Sequence, residues 1–366
     1  MSAWRQPGSL ARTRRRGDNA GMASDDSSAQ VQLDEDTLAR RRRDLGEDHP
    51  DTLAAANDLA ISLRAAGEYQ AARELDEDTL ARRRRVLGED HPDTLASANG
   101  LAISLRAVGG HPGTVTSASN LFSSVGHPGE HQAARELGED TLARRRRVLG
   151  EDHPDTLASA SGLAISLRVV GERQAGQELE EDTLARRRRV LGEDHPDTLA
   201  SADNLAVSLL AVREQHQAAR ELAEDTLARR RRVLGEDHPD TLTSADNLVM
   251  LLGRLGEHQA ARELAEDILA RRRRVLGEDH PDTLWSAFSL AGALTELGEY
   301  QAAKELNEDI LARRRRVLGD GHRDTMISAS FALILSGLAA DPKAREVMET
   351  VVAAWAQSVE GRPPGS

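Results

Sequence analysis

The sequence predicts an all-α fold, an α-solenoid of stacked antiparallel helical hairpins, and three observations predict it. The octapeptide LGEDHPDT begins at Leu45 and returns at Leu87, Leu149, Leu191, Leu234, Leu276 and, as LGDGHRDT, at Leu318. The steps between copies are 42, 62, 42, 43, 42 and 42 residues, and a near-constant period of that size marks a stacked repeat array. Between copies the apolar residues follow the three- and four-residue steps of an amphipathic helix, with no strand-like alternation. Only 2% of the chain is aromatic, so packing must rest on Leu, Ala, Val and Ile.

Taken in order, residues 1–30 are rich in Gly, Ser, Arg and Asp without helical periodicity, which predicts a disordered tail; Met22 is a second candidate start. Residues 31–109 form an N-terminal block. It opens on a half-unit, LDEDTLARRRRDL from Leu33, which matches the second helix of every later repeat and so caps the array. The first whole unit, His49 to Gly88, sets the plan. Leu53, Ala56, Leu59, Ala60 and Leu63 share one helix face, Gly67 breaks it, and Ala72, Leu75, Leu80, Val86 and Leu87 line a second helix. Neither helix can hide its apolar side without the next unit.

The octapeptide is a stop, a corner and a start. Gly88 suits the left-handed position after a helix. His91, preceding a proline, is pushed out of the helical region. Pro92 fits the first helical turn, and Asp93 faces the positive end of the helix dipole.

The 62-residue step contains GHPGTVTSASNLFSSVGHPG, residues 110–129, a decayed copy of the first helix alone. Unpaired and Gly-rich, it predicts a flexible insertion that separates the first block from the main array, residues 130–358. Within that array, REQHQ at Arg213–Gln217 adds one residue. The last unit keeps Leu333, Ile334, Leu335 and Leu338 for its first helix, restarts at Asp341 and Pro342, and turns Val347, Met348, Val351 and Trp355 inward on a C-terminal capping helix. Residues 359–366 are expected to be disordered.

The pattern Ala56, Leu59, Ala60, Leu63, Gly67, Tyr69, Ala72, followed by a second helix, resembles the tetratricopeptide repeat (TPR) in the 42-residue form of kinesin light chains. The runs DTLARRRRVLGEDHPDTL are also similar to repeat tails of actinobacterial NB-ARC signalling ATPases. The resemblance implies a right-handed TPR superhelix, a scaffold that binds proteins, and a concave groove lined by the first helices. One departure stands out. Where the family carries an aromatic residue in the second helix, this chain has Asp76, Gly138, Glu180, Ala223, Ala265 and Asn307, which predicts looser packing between hairpins.

Composition narrows the function. A net charge of -13 argues against nucleic acid and acidic membranes as partners. The absence of Cys excludes disulfides and thiol chemistry. No run reaches the roughly 20 apolar residues of a membrane span, and MSAWRQPGSLARTRRRG lacks the apolar stretch of a secretory signal, so the expected location is cytoplasmic. The HPD element recurs in six copies, as a structural turn does and a catalytic group does not. There is no HExxH, no GxxxxGK and no distinguishable Ser/His/Asp set, so the expectation is a protein that is not an enzyme, with no catalytic, metal or cofactor residues.

Runs such as Arg82–Arg85 point all round a helix and follow acids, with Asp78 and Arg82 placed for an i, i+4 pair; solvated helix ends are the expectation, and a nucleic-acid adaptor is a third-ranked reading. The first-helix face carries Asn57, Asn99, Asn204 and Asn247 together with Arg64, Arg106 and Arg168. Amides and guanidiniums in such a ladder suit an extended, acidic peptide, against the plain reading of a solvated polar face. A scaffold binding a protein or peptide is the leading function, and a detached sensor arm of an NB-ARC-type ATPase system is the alternative. The oligomeric state is not specified by the sequence.

Overall fold

A computed structural model describes residues 22–109, 128–210 and 215–340. Among these there are fourteen α-helices and no strand. Each unit pairs an A helix with a B helix. The A helices are α2 (Pro50–Ala65), α4 (Pro92–Gly109), α6 (Pro154–Val169), α8 (Pro196–Leu209), α10 (Pro239–Arg254), α12 (Pro281–Glu296) and α14 (Arg323–Ala340). The B helices are α1 (Met22–Leu45), α3 (Tyr69–Leu87), α5 (Pro128–Leu149), α7 (Arg173–Leu191), α9 (His216–Leu234), α11 (His258–Leu276) and α13 (Tyr300–Leu318).

The corners follow from the octapeptide. Each A helix is capped by a histidine whose Nδ1 accepts the backbone N–H two residues on, as His91 does from Asp93 at 3.2 Å. An aspartate there also meets the dipole. Each B helix ends at a glycine such as Gly88, φ +87°, whose N–H donates to the Arg84 carbonyl at 3.1 Å. In the hairpins that turn at Gly67, Gly171, Gly256 and Gly298, the A-to-B turn is a Schellman motif: Glu68 N–H reaches the Leu63 carbonyl at 2.8 Å and Gly67 N–H the Arg64 carbonyl at 3.1 Å, an end that needs a left-handed residue at Gly67.

Along the array, each A helix packs directly on the A helix of the next unit from α2 to α12. Successive B helices are instead tied at their ends by ion pairs, such as Arg73 to Glu130 at 2.7 Å and Arg262 to Glu299 at 2.7 Å. The A layer is therefore the inner layer of the stack.

Three expectations are corrected. The N-terminal tail does not extend to residue 30, because α1 starts at Met22. Val31 is buried with Leu38 against Ala55 and Leu59 of α2, and a helix seeded by such an anchor propagates at little further cost, with Gln30 bonding Asp34 at 3.0 Å on its outer side. Second, the stack is not divided at the insertion. Residues 110–127 lie outside the described residues, but α5 already begins at Pro128 and packs on α4 and α6 in the regular way. In the chain the added residues fall between the A helix α4 and the B helix α5, and a longer connection costs only slowly growing closure entropy. Third, the positions expected to loosen the packing are filled, as described below. The expected capping helix around Val347–Trp355, residues 1–21 and the tail 359–366 lie outside the described residues.

Candidate interaction face

The four-arginine runs are divided among separate tasks by the helical turn. Arg83 is buried and donates to Ser97 Oγ and the Asp93 carbonyl, both at 2.8 Å, so it ties α3 to the start of α4. Arg145, Arg187, Arg272 and Arg314 repeat this tie to Ser159, Ser201, Ser286 and Ser328 at 2.7–2.8 Å. Burial pushes the Arg83 and Arg314 guanidiniums below their ordinary range. Arg82 bonds Asp78 at 2.7 Å, the expected i, i+4 pair, and also Asp48 of the preceding corner at 3.2 Å, while Arg85 grips both oxygens of Asp48. Arg84 remains exposed. Among the described residues no continuous basic stripe forms.

The groove arginines are likewise used internally. Arg64 donates to Asp76 at 2.7 Å and to Ser104 at 3.0 Å, and Ser104 in turn donates to Asp76 at 2.6 Å. Arg106, 7% exposed, reaches Ser166 at 3.2 Å and the Gly162 carbonyl at 3.3 Å, and burial holds its pKa down at about 10. Arg168 bonds Ser208 at 3.1 Å and the Asn204 carbonyl at 3.2 Å, with Glu180 alongside and itself bonded to Ser208. The non-aromatic B-helix positions are thus filled by charge at Asp76 and Glu180. At Gly138, Leu163 moves in, its Cδ1 lying 3.3 Å from where a Cβ would stand. Ala223 and Ala265 are buried in the C-terminal core, and Asn307 donates to the Ser328 carbonyl at 2.9 Å.

The predicted amide ladder therefore does not form as one exposed row. Asn57 and Asn99 are half-buried on the A face, whereas Asn204 and Asn247 are buried at 9% and 1% exposure. The latter stand one residue further along their helices, and one residue is a turn of about 100°, enough to carry them into the A–A seam. The position of Asn57 is taken in later units by Asp203 and Asp246. Asp203 pairs with Arg230 at 3.0 Å and accepts from Ser244 at 2.8 Å. Asp246 pairs with Arg272 at 2.6 Å and accepts from Ser286 at 3.3 Å. Burial raises both carboxyls to about 6 in spite of these partners.

What remains exposed on the A face extends beyond the Asn and Arg set read from the sequence. Ile61 is 51% exposed, and the same register holds half-buried Ile103, Val207 and Met250, with Ile165 between them buried. Asp51, Asp93, Asp155, Asp197, Asp240 and Asp282 run along the A-helix starts with 56–67% of each side chain exposed. Towards the C-terminus, Trp285, Phe288 and Phe331 replace the small and polar residues of earlier units. That replacement was the available signal. Among the described residues no cluster of three or more metal-ligating side chains occurs, and no helix is long and apolar enough to cross a membrane.

Paired helices in a repeating A/B stack, with an inner A layer and Gly-capped corners, define a helical-hairpin repeat protein. Family models described as tetratricopeptide repeat match residues 52–93, 129–155 and 156–197, and 207–273 and 247–316, together more than half of the 366 residues. The chain belongs to the tetratricopeptide repeat family, whose members generally mediate protein–protein interaction. Among solved structures it is similar to the nearly identical TPR-like repeats of a Podosopora anserina protein described as a kinesin light chain, with 32% identity, 62% of this chain and 97% of that chain covered, and a TM-score of 0.48. It is also similar to BtubC from P. vanneervenii, at 15% identity over 81% of this chain and 93% of that one with a TM-score of 0.45. A Rap protein complexed with competence and sporulation factor aligns at 11% identity over 92% of this chain and 94% of that one, with a TM-score of 0.48. No curated protein matches the chain.

Proposed function

We propose that the chain is a scaffold that holds a protein or peptide partner along the A-helix face and carries out no chemistry of its own. The observation that supports this reading is how the exposed side chains are distributed. On the B helices, long charged side chains are largely paired with one another, as in Arg73 with Glu77 and Arg82 with Asp78, and the exposed apolar residues, such as Val86 and Val233, stand singly at the helix ends among arginines. On the A face, Ile61, Ile103, Val207 and Met250 present apolar surface not consumed by packing within the hairpins, and partly apolar recesses are where partners gain most. Arg64, Arg106 and Arg168 have internal partners and do not belong to the contact set.

Photocrosslinking in the source cell tests the reading. A photoreactive residue at position 61 or 250 should capture a discrete partner, whereas one at the exposed B-helix position of Arg231 should not. Capture from position 231 alone would place the interface on the other layer and defeat the proposal.

A further inference from the structure

Three of the chain's eight aromatic residues meet on the A face of α12 and α14. Trp285 and Phe288 lie with ring centroids 6.0 Å apart, and Phe288 and Phe331 at 5.3 Å in an edge-on contact. All three are half-buried, Met250 and Phe331 lie with Phe288 against the same core, and Arg314 holds Phe288 from beneath, 5.3 Å from its centroid. Packing alone does not demand these rings. In the earlier units the position of Trp285 is Ala54, Ala96, Ala158, Ala200 and Thr243 and that of Phe288 is Asn57, Asn99, Ser161, Asp203 and Asp246, and in the last unit they are Ile327 and Ser330. Aromatic rings with one side buried and one side open are the usual anchors of a binding surface.

The exposed charge around the patch is mostly acidic. Helix α12 carries Asp282 in its first turn and ends at Glu296 with no basic residue in its last turn, unlike α2, α4, α6 and α10, which end with Arg64, Arg106, Arg168 and Arg254. Asp240 and Asp282 each leave 56% of the side chain in solvent, and Glu296 is exposed. Arg254 is the exposed base nearby, while Arg314 and Arg272 are buried below.

We propose that the A face of α10, α12 and α14 docks a basic peptide segment, with an apolar side chain seated on Trp285 and Phe288 and flanking Lys or Arg side chains meeting Asp240, Asp282 and Glu296. This rests on the A-face reading above and names the partner's chemistry. Apolar contact supplies the anchor, and carboxylates at the rim steer and select the flanking charge.

The test uses the full chain and three fluorescein-labelled 12-residue probes read by anisotropy: a central Phe-Leu flanked by Lys and Arg, the same centre flanked by Asp and Glu, and the basic flanks around Ser-Ser. The first probe should bind, and the other two should bind at least tenfold more weakly. Trp285→Ala should weaken the first probe about tenfold, with helical content by circular dichroism unchanged. The exposed pair Asp282→Asn with Glu296→Gln, which leaves the core untouched, should weaken it about fivefold, and Asp282→Lys with Glu296→Lys should move preference to the acidic probe. Equal binding of the basic probe with Ser-Ser would remove the aromatic anchor. Preference of the unmodified chain for the acidic probe, or binding of none, would overturn the proposal. In either case, capture of a partner from position 250 would keep the broader A-face reading, and loss of that capture would end both.

Discussion

The two halves of the array bury different materials at equivalent places. From the second half of α7 onward, one continuous apolar cluster runs from Leu184 to Leu335, taking in Leu205, Leu251, Ile268, Leu290 and Ile310. Before that, the core is broken into three separate clusters, around Leu59, Leu101 and Leu163. Arg64, Asp76 and Ser104 fill the positions that Leu210, Ala223 and Leu251 fill later. The lesson is that one hairpin geometry accepts either a hydrogen-bonded charge network or a hydrocarbon contact at the same seam. The two differ in what they contribute, since desolvating a pair offsets much of its attraction.

The largest effect is expected from breaking a pair with nowhere to go. Arg272→Ala leaves Asp246, whose side chain is 4% exposed, buried without its cation, and should cost about 3–5 kcal/mol in urea unfolding. A smaller cost would mean that Asp246 takes up a proton without penalty.

The comparison is sharpened by converting one half into the other. Asp76→Ala alone should destabilise by about 1–3 kcal/mol by stranding Arg64 and Ser104. The triple change Arg64→Leu, Asp76→Ala and Ser104→Leu installs the set found at Leu210, Ala223 and Leu251, and should recover that loss or raise stability by about 1–3 kcal/mol. A triple variant less stable than Asp76→Ala would show that the polar seam is better matched to its surroundings than hydrocarbon.

Acidification is a gentler probe. Burial raises Asp203 and Asp246 to about 6 from an ordinary 3.8 and moves Asp76 and Glu180 in the same direction. A carboxyl that holds its proton more tightly when folded adds stability below its unfolded pKa and loses it as pH rises through the folded one. The melting temperature should therefore rise from pH 7 to about pH 4.5. Asp90 and Asp152, held below 3.8 by bonds from Arg144 and Arg186, work in the opposite sense, so stability should fall again below about pH 3.8. A monotonic loss from pH 7 downward would contradict the raised values.

The smallest effect belongs to the corner clamps. Arg82→Ala removes exposed pairs to Asp78 and Asp48 and should change stability by less than about 1 kcal/mol, shrinking further in high salt.

The parts of this molecule that are local in the chain were legible in its sequence. The period, the His-Pro-Asp helix start and the Gly stop depend on neighbours within a few residues, and the structure places them at the corners as read. The roles of the charges were not legible, because they depend on which side of a helix meets the next unit. Arg83 and Arg84 are adjacent letters, yet one is buried against Ser97 and the other is in solvent. Asn57 and Asn204 look equivalent until a displacement of one residue turns the second into the seam. Trp285 and Phe288 were visible as departures from the repeat, but their meeting with Phe331 required the stack of α12 on α14.

The central claim is that a continuous hydrocarbon seam makes the C-terminal half the more stable part of a quasi-linear stack, in which stability is set by neighbouring interfaces. Native-state hydrogen exchange read by mass spectrometry at pH 7 addresses it directly. Backbone amides of α10, α11 and α12 should exchange with the highest opening free energies, and those of α2, α3, α6 and α7 should open earlier. Equal protection in both halves, or greater protection around the Arg64–Asp76–Ser104 seam than around Leu251 and Ile268, would contradict the account.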